Sequence, residues 1–204
     1  MLVQVRRKQS WLSRYSLLHA SATAIPLADQ SVDLVFANQL LPWIDDSAMA
    51  FTEVARVLRK NGLFVFASLG PDSLSELRQA WRIGDSGGHV NHFPDMHDIG
   101  DAAVHAGLKD PVLDVDRLSV TYQDADALFR DLTGCGARNS LAERDHALVG
   151  KGRFKAMTAA LGQHHKDGAI ELDLELIYGH CWGAGPQSPD GEYRFDPDQI
   201  GHRT

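Results

Sequence analysis

The sequence has few cysteines, no long apolar run and no excess of basic residues. Its 204 residues include two cysteines, Cys135 and Cys181, which are too few for a disulfide framework and predict buried thiols in a reducing cytoplasm. No stretch approaches the roughly 18 consecutive apolar residues that a membrane span requires. The formal charge of -7 argues against nucleic-acid binding driven by bulk charge. The 44% of hydrophobic residues suffices for one folded domain.

Acidic residues are missing from the first 28 positions, which carry Arg6, Arg7, Lys8 and Arg14. This composition is also that of a mitochondrial presequence. The segment runs without a linker into regular apolar patterning, which favours a surface helix and loop of a cytoplasmic domain instead. The presequence stays open as the alternative.

Short apolar runs alternate with amphipathic segments in the first third of the chain. The runs at 15–19, 32–37 and 63–69 predict buried strands, with 32–37 covered on both faces. Between the last two runs, residues 45–47 offer N-caps for a helix that ends at Asn61 and Gly62. The helix would bury Met49, Val54, Val57 and Leu58. This order predicts an α/β domain with a mostly parallel sheet.

The second half of the chain predicts further helices and two strands. Ser73 and Glu76 have the spacing of a capping box, and helices are expected over 95–106, 124–132 and 151–161. Residues 112–122 predict a strand. Residues 170–178 predict a half-exposed antiparallel strand that presents one face of apolar side chains: Ile170, Leu172, Leu174, Leu176 and Tyr178. The tail at 184–204 is expected to be flexible, since it is rich in glycine, proline and charge.

Ligands of open α/β sheets bind beyond the carboxyl ends of the strands. Asn38 follows the run at 32–37, and an aromatic residue, Trp43, comes soon after it. A polar strand tip followed by an aromatic side chain can line a ligand cleft, although Asn is also a common strand terminator.

Three stretches resemble motifs of class I S-adenosylmethionine (SAM)-dependent methyltransferases of type 11. They are PLADQSVDLV at 26–35, ANQLLPW at 37–43 and EVARVLRKNGL at 53–63. The resemblance implies a Rossmann-like sheet and SAM as cofactor. It places Ser21 and Ala22 near the adenine, with Ser21 where the family usually has Asp, and Asn38 near the methionine end.

Later segments are similar to one branch of this superfamily, the malonyl-acyl-carrier-protein O-methyltransferases of biotin synthesis. The segments are 69–78, 91–100, 134–139, 177–183 and 191–203. The resemblance implies an enzyme that methylates the free carboxylate of malonyl-acyl-carrier protein or malonyl-CoA. It assigns no catalytic residue, since a carboxylate is already ionised at neutral pH. A cation should hold this carboxylate, and Arg78, Arg138 and Arg144 are candidates, although each also fits a solvated surface charge.

The sequence departs from the family at its beginning. The first strand, its glycine-rich turn and the acidic residue that holds the ribose would precede Met1. We therefore expect a partial methyltransferase domain over 1–183 that lacks the first strand–helix units, has a helical insertion at about 73–165 and ends in an antiparallel strand. We expect weak or no SAM binding for the same reason, and self-association through an unpaired sheet edge. The DLTGCGA segment at 131–137 imitates the missing motif, but amphipathic helix precedes it and Gly134 suits a helix end.

Other functions stay open at this point. The chain could be a catalytically inactive methyltransferase-like binding or assembly factor. It could also be related to an arginine-hydroxylating complex I assembly factor, which shares many of these motifs. His89, His92 and His97 have a spacing seen in metal sites, but they lie in a loop without nearby cysteine, so no metal is predicted.

Overall fold

The computed structural model describes residues 2–8, 15–83, 89–137, 150–166 and 168–185. Its sheet has the order β1-β2-β5-β3, and a short β4 pairs with β5. β1 and β2 are parallel, whereas β5 is antiparallel to both β2 and β3. The strands are β1 (Val32–Asn38), β2 (Leu58–Leu69), β3 (Leu108–Tyr122), β4 (His165–Lys166) and β5 (Ala169–Gly183). The mixed α/β sheet and its final antiparallel strand are as predicted.

Six helices accompany the sheet in the described residues: α1 (Leu2–Lys8), α2 (Ser47–Val57), α3 (Ser75–Arg82), α4 (Met96–His105), α5 (Ala125–Gly134) and α6 (Lys151–Leu161). The side chains of Asp46, Asp95 and Asp124 cap α2, α4 and α5 by accepting backbone N–H groups. These caps supply acceptors for N–H groups that have no partner inside the helix. Local capping therefore explains where these three helices begin.

The core is divided between the two faces of the sheet. On one face, α2 and α4 cover a cluster that includes Phe51, Phe64, Ile99 and Ile177. On the other face, α3, α5 and α6 cover a cluster that includes Leu172. Alternate side chains of a strand point to opposite faces of the sheet. The odd-numbered Ile177 and Cys181 of β5 therefore pack in the first cluster, and the even-numbered Ile170 and Leu172 pack in the second.

Several sequence predictions about which side chains are buried are wrong. Leu34 and Phe36 of β1 are 59% and 68% exposed, because α2 and α4 cover only the other face of the strand. Tyr178, expected on the apolar face of β5, is 44% exposed, whereas Glu175 of the opposite set is buried. Met49 is exposed on α2. Coverage of a strand depends on distant elements that local spacing does not reveal.

Two boundary predictions are also wrong. Residues 15–19 form no strand, and Tyr15 and Leu18 are exposed, because no neighbouring strand pairs with this run among the described residues. α2 ends before Leu58 rather than at Asn61 and Gly62, since Leu58 is fully buried in β2 beside Val32. Asn61 nevertheless has the positive φ expected of it, at 62°.

The two cysteines differ in environment. Cys181 is completely buried in β5, and burial raises the pKa of its thiol to about 12. Cys135 is exposed at the end of α5, so the prediction of two buried thiols holds for Cys181 alone. Within the described ranges, no helix combines the length and apolarity needed to cross a bilayer.

Candidate active site at the ends of the parallel strands

A cavity of about 480 Å³ lies at the carboxyl ends of β1 and β2. Gln39 and Leu69, which follow or end these strands, contribute to its lining. The remaining wall comes from a 3-10 turn (Leu41–Trp43), from α3, from residues 89–93 and from α5. Most of the lining is apolar or aromatic, including Trp43, Leu77, Trp81, Phe93, Phe129 and Leu132. A concave apolar pocket at this position of an α/β sheet is the usual form of a small-molecule site.

Arg78 of α3 is not part of the cavity lining, but it hydrogen-bonds to a residue that is, Asn91. Its Nη1 donates to the Pro71 carbonyl at 3.2 Å, and its Nη2 donates to the Ser73 and Asn91 carbonyls at 3.3 and 3.4 Å. In the part of the chain that the structure describes, these hydrogen bonds go to carbonyls and none goes to a carboxylate. Partial burial lowers the pKa of Arg78 from its ordinary value, and Arg82 lowers it further. The guanidinium is therefore held in place without being neutralised by a hydrogen-bonded anion.

Asn91 extends this connection to the end of β1. Its Nδ2 donates to the Pro42 carbonyl at 3.1 Å, while its own carbonyl accepts from Arg78. Pro42 belongs to the 3-10 turn that follows β1. Arg78 and Asn91 thus link α3 to the turn beyond the strand tip, and Asn91 and Pro42 of this link line the cavity.

Glu175 fixes the turn between β2 and α3. Its Oε2 accepts from the Asp72 N–H at 3.0 Å, and its backbone exchanges two hydrogen bonds with the Ser73 hydroxyl, each 3.0 Å long. A Cβ on Gly70 would clash with the Glu175 side chain, so the turn requires glycine there. The predicted capping box is wrong, because Ser73 bonds to β5 and Leu74 occupies the N-cap of α3.

Glu53 and Arg56 hold the loop that leads into β1. Arg56 donates to the carbonyls of Ile25 and Leu27 at 2.7 and 2.8 Å, and to the carboxylate of Asp29 at 2.6 Å. Glu53 accepts from Arg56 and from the Ile25 N–H, and these hydrogen bonds lower the pKa of its carboxyl to about 2. The E-x-x-R motif noted in the sequence thus fixes a loop rather than contacting the cavity.

Two of the three cofactor candidates are exposed, and none of the three lines the cavity. Ser21 lies in a turn whose carbonyl accepts from the Ala24 N–H at 3.1 Å, and its hydroxyl is 2.8 Å from that of Thr23. Ala22 is half-buried in the same turn, and Asn38 is exposed at the tip of β1. Gln39, which sequence reasoning missed, lines the cavity with a φ of 52°.

The substrate candidates are placed unequally. Arg78 does not line the cavity but hydrogen-bonds to Asn91, which does, whereas Arg138 and Arg144 lie outside the described residues. Within the described part of the chain, no group of three or more His, Cys, Asp or Glu side chains could hold a metal ion. The segment at 131–137, which imitates a glycine-rich motif, begins inside α5 and not after a strand. Its residue with a positive φ is Gly136, not Gly134.

Comparison with known proteins agrees with the observed fold. The profile of the Methyltransferase domain family matches residues 1–66. The solved structure of the YcgJ protein from Bacillus subtilis superposes with a TM-score of 0.55 at 14% identity, covering 82% of this chain and 70% of that one. The sheet order and this likeness define the fold class as that of the Rossmann-like methyltransferases.

Two curated relatives indicate which family of methyltransferases the chain is similar to. The malonyl-[acyl-carrier protein] O-methyltransferase of Halorhodospira halophila is 40% identical over 210 residues, covering 100% of this chain and 71% of the relative. The protein of the same name from Gallionella capsiferriformans is 40% identical over 168 residues, covering 82% of this chain and 58% of the relative. The chain belongs to the malonyl-[acyl-carrier protein] O-methyltransferase family. It spans about 58% and 61% of the length of two of its relatives.

Proposed function

We propose that the chain transfers a methyl group from SAM to the free carboxylate of a malonyl thioester carried by acyl-carrier protein or coenzyme A. The observation that carries this proposal is the apolar cavity at the ends of β1 and β2, whose lining residue Asn91 accepts a hydrogen bond from the Arg78 guanidinium. The relatives named for malonyl-acyl-carrier-protein methylation support the choice of substrate.

The polar side chains of Asn38 and Ser21 suit the polar ends of SAM. Asn38 exposes its side-chain amide at the end of β1, and the turn at 21–24 exposes the Ser21 hydroxyl. We propose that Asn38 contacts the methionine end, and that Ser21 and Ala22 contact the adenine. Glu53 and Arg56 fix the loop after this turn, so the Ser21 turn is anchored to α2.

Arg78 suits the substrate carboxylate. Its carbonyl partners orient the guanidinium next to the cavity residue Asn91, and the substrate carboxylate would compete for its positive charge with Asp72 and Glu76 of this chain. An ionised carboxylate bound to arginine forms charge-assisted hydrogen bonds, which are stronger than neutral ones. The apolar remainder of the cavity would take the thioester and the start of its pantetheine arm.

The chemistry requires orientation more than proton transfer. When bound, SAM supplies an electrophilic methyl carbon that a carboxylate oxygen can take up directly. Because malonate is ionised at neutral pH, the chain needs no general base. The aromatic walls exclude water and hold the acyl group, and such positioning accounts for a large part of a two-substrate reaction rate.

The proposed partner imposes an electrostatic condition. Acyl-carrier protein is acidic, and this chain has a net charge of -7, so docking requires local basic groups. Arg78 and Arg82 of α3 provide two such groups on a helix that lines the cavity. The two free cysteines suit a cytoplasmic location for this reaction.

Cys135 gives a direct readout of cavity occupancy, because it lines the cavity and is exposed. We expect a thiol reagent to label Cys135 but not the buried Cys181. Malonyl-pantetheine should slow this labelling, and it should do so at about tenfold lower concentration than acetyl-pantetheine, which lacks the carboxylate. Mass spectrometry of the labelled peptides measures both rates.

A matched pair of variants tests the role of Arg78. Arg78→Gln should remove the preference for malonyl over acetyl, whereas Arg82→Gln, on an exposed residue of the same helix, should keep it. Equal labelling of Cys135 with and without malonyl-pantetheine would contradict the assignment of the cavity to this substrate.

A further inference from the structure

Gln39 directly follows β1 and lines the cavity in a strained backbone conformation. Its φ of 52° lies in the left-handed region, which residues other than glycine adopt at a cost. Its N–H donates to the Ala67 carbonyl of β2 at 2.8 Å, and this hydrogen bond holds the chain where it leaves β1 for the 3-10 turn. Gln39 thus keeps a side chain at a position where glycine would fit with less strain.

A second glutamine shows that this backbone conformation alone does not define a site. Gln30 has a φ of 48°, and its N–H donates to the Arg56 carbonyl at 2.9 Å. Gln30 is exposed and does not belong to the cavity lining, whereas Gln39 is half-buried and does. The two glutamines therefore share their backbone conformation and the type of their backbone hydrogen bond, and they differ in their surroundings.

The side-chain amide of Gln39 is available to a ligand, because it forms no hydrogen bond with the part of the chain that the structure describes. Asn91, the other carboxamide of the lining, already donates from Nδ2 to the Pro42 carbonyl at 3.1 Å. Most of the lining is apolar or aromatic, so a carbonyl group that enters the cavity loses hydrogen bonds to water. A neutral N–H donor in the lining can replace one of them.

The substrate class of the proposed function contains such a carbonyl. A malonyl thioester has a charged carboxylate and, beyond one methylene group, a neutral thioester carbonyl. Asn38 is proposed to contact the methionine end of SAM, so the carboxylate would react close to the tip of β1. Gln39 is the next residue along the chain and lies in the cavity lining. Its neutral amide suits the neutral carbonyl, whereas the charged carboxylate suits a guanidinium.

We propose that Gln39 determines substrate specificity by donating a hydrogen bond from Nε2 to the thioester carbonyl. This inference rests on the proposed function, because it requires a malonyl thioester in the cavity. Arg78 then distinguishes malonyl from acetyl groups, and Gln39 distinguishes thioesters from compounds that lack the carbonyl. Binding at the carbonyl fixes the acyl group at a second polar atom, which orients the carboxylate toward the methyl group of SAM.

Three compounds separate the two roles: malonyl-pantetheine, acetyl-pantetheine and carboxyethyl-pantetheine, a thioether that keeps the carboxylate but lacks the carbonyl. Trp43 and Trp81 line the cavity, so the change in tryptophan fluorescence on titration measures each dissociation constant. We expect Gln39→Gly to bind both thioesters roughly fivefold more weakly, as the loss of one neutral hydrogen bond requires. It should bind the thioether like the unaltered chain and keep the preference for malonyl over acetyl.

Two further variants show whether the amide itself is responsible. Gln30→Gly makes the same change in the same backbone conformation outside the cavity, and it should leave all three dissociation constants unchanged. Gln39→Leu keeps an apolar side chain without the donor, and it should weaken thioester binding as Gln39→Gly does. The fold holds a leucine in this conformation at Leu74, where φ is 57°. Urea unfolding checks that each variant is folded.

The outcomes distinguish failure of this inference from failure of the proposed function. Equal weakening for the thioether and the thioesters in Gln39→Gly overturns the inference, because the loss would then reflect the shape of the cavity. Loss of the preference for malonyl over acetyl in this variant also overturns it, since the amide would then contact the carboxylate. If the unaltered chain prefers malonyl and Gln39→Gly binds like it, this inference alone fails. If the unaltered chain binds neither thioester, the proposed function fails with it.

Discussion

Glu53 and Arg56 lie one helical turn apart on α2, and together they fix a loop of some five residues. The two side chains accept or donate hydrogen bonds at Ile25, Leu27 and Asp29. One turn of α2 thus provides hydrogen-bond partners for backbone groups of an irregular segment. Without these side chains, the backbone groups would need water as their partner. The sequence reveals the motif and its family, but it does not reveal these bonds, because their partners lie 27 to 31 residues away from Arg56.

Replacement of Glu53 by Gln should destabilise the chain by about 1 kcal/mol at neutral pH, since it removes charged hydrogen bonds from a partly exposed pair. The pKa of Glu53 is about 2 in the folded chain, below the ordinary value of 4.5. Its contribution is therefore complete above pH 4.5 and is lost as the pH falls from 4.5 toward 2. Urea unfolding at a series of pH values should show the free energies of unfolding of the two proteins converging over this range.

Asp45→Asn, which changes an exposed carboxylate before α2, is the control, and its free energy of unfolding should follow that of the unaltered chain with pH. A difference between Glu53→Gln and the unaltered chain that stays constant with pH would contradict the account.

At the scale of elements, the sequence predicts best what is locally determined. The caps at Asp46, Asp95 and Asp124 and the apolar periodicity predict α2, α4 and α5 within a few residues. Two features of burial could not be predicted: which face of β1 is covered, and how β5 divides its side chains between two clusters. Both depend on the order of strands in the sheet, in which β5 lies between β2 and β3 although it is last in the sequence. The burial of Glu175 follows from that same placement. For the candidate site, spacing and resemblance indicated Asn38 and Arg78, neither of which lines the cavity. Gln39 and Asn91 do line it, and their position there depends on how distant segments meet.

The contact between β2 and β5 leaves no room for a side chain at Gly179. This residue pairs with Phe66, and a Cβ there would clash with the aromatic ring. We expect Gly179→Ala to destabilise the chain by roughly 1–3 kcal/mol through overpacking. Gly134→Ala is the matched control, since nothing lies within 4 Å of its Cβ position, and it should stay within about 0.5 kcal/mol of the unaltered chain. Chemical denaturation compares the two; similar midpoints for both variants would refute this packing.

At the scale of the whole molecule, the sheet positions the candidate site. The carboxyl ends of β1 and β2 open into the cavity, and α3 and α5, which pack in the second cluster, line its far wall. The cavity therefore depends both on the two parallel strands and on the helices that cover one face of the sheet.

The central claim is that this cavity methylates a malonyl carboxylate, and methyl transfer by the purified 204-residue chain tests it most directly. The chain is incubated with SAM labelled in its methyl group and with malonyl-acyl-carrier protein, and acetyl-acyl-carrier protein serves as the control. The account predicts label in a base-labile ester on the malonyl group, none on the acetyl group, and a lower rate for Arg78→Gln than for Arg82→Gln. Absence of labelled ester from the malonyl group, with the chain folded and both substrates saturating, would contradict it.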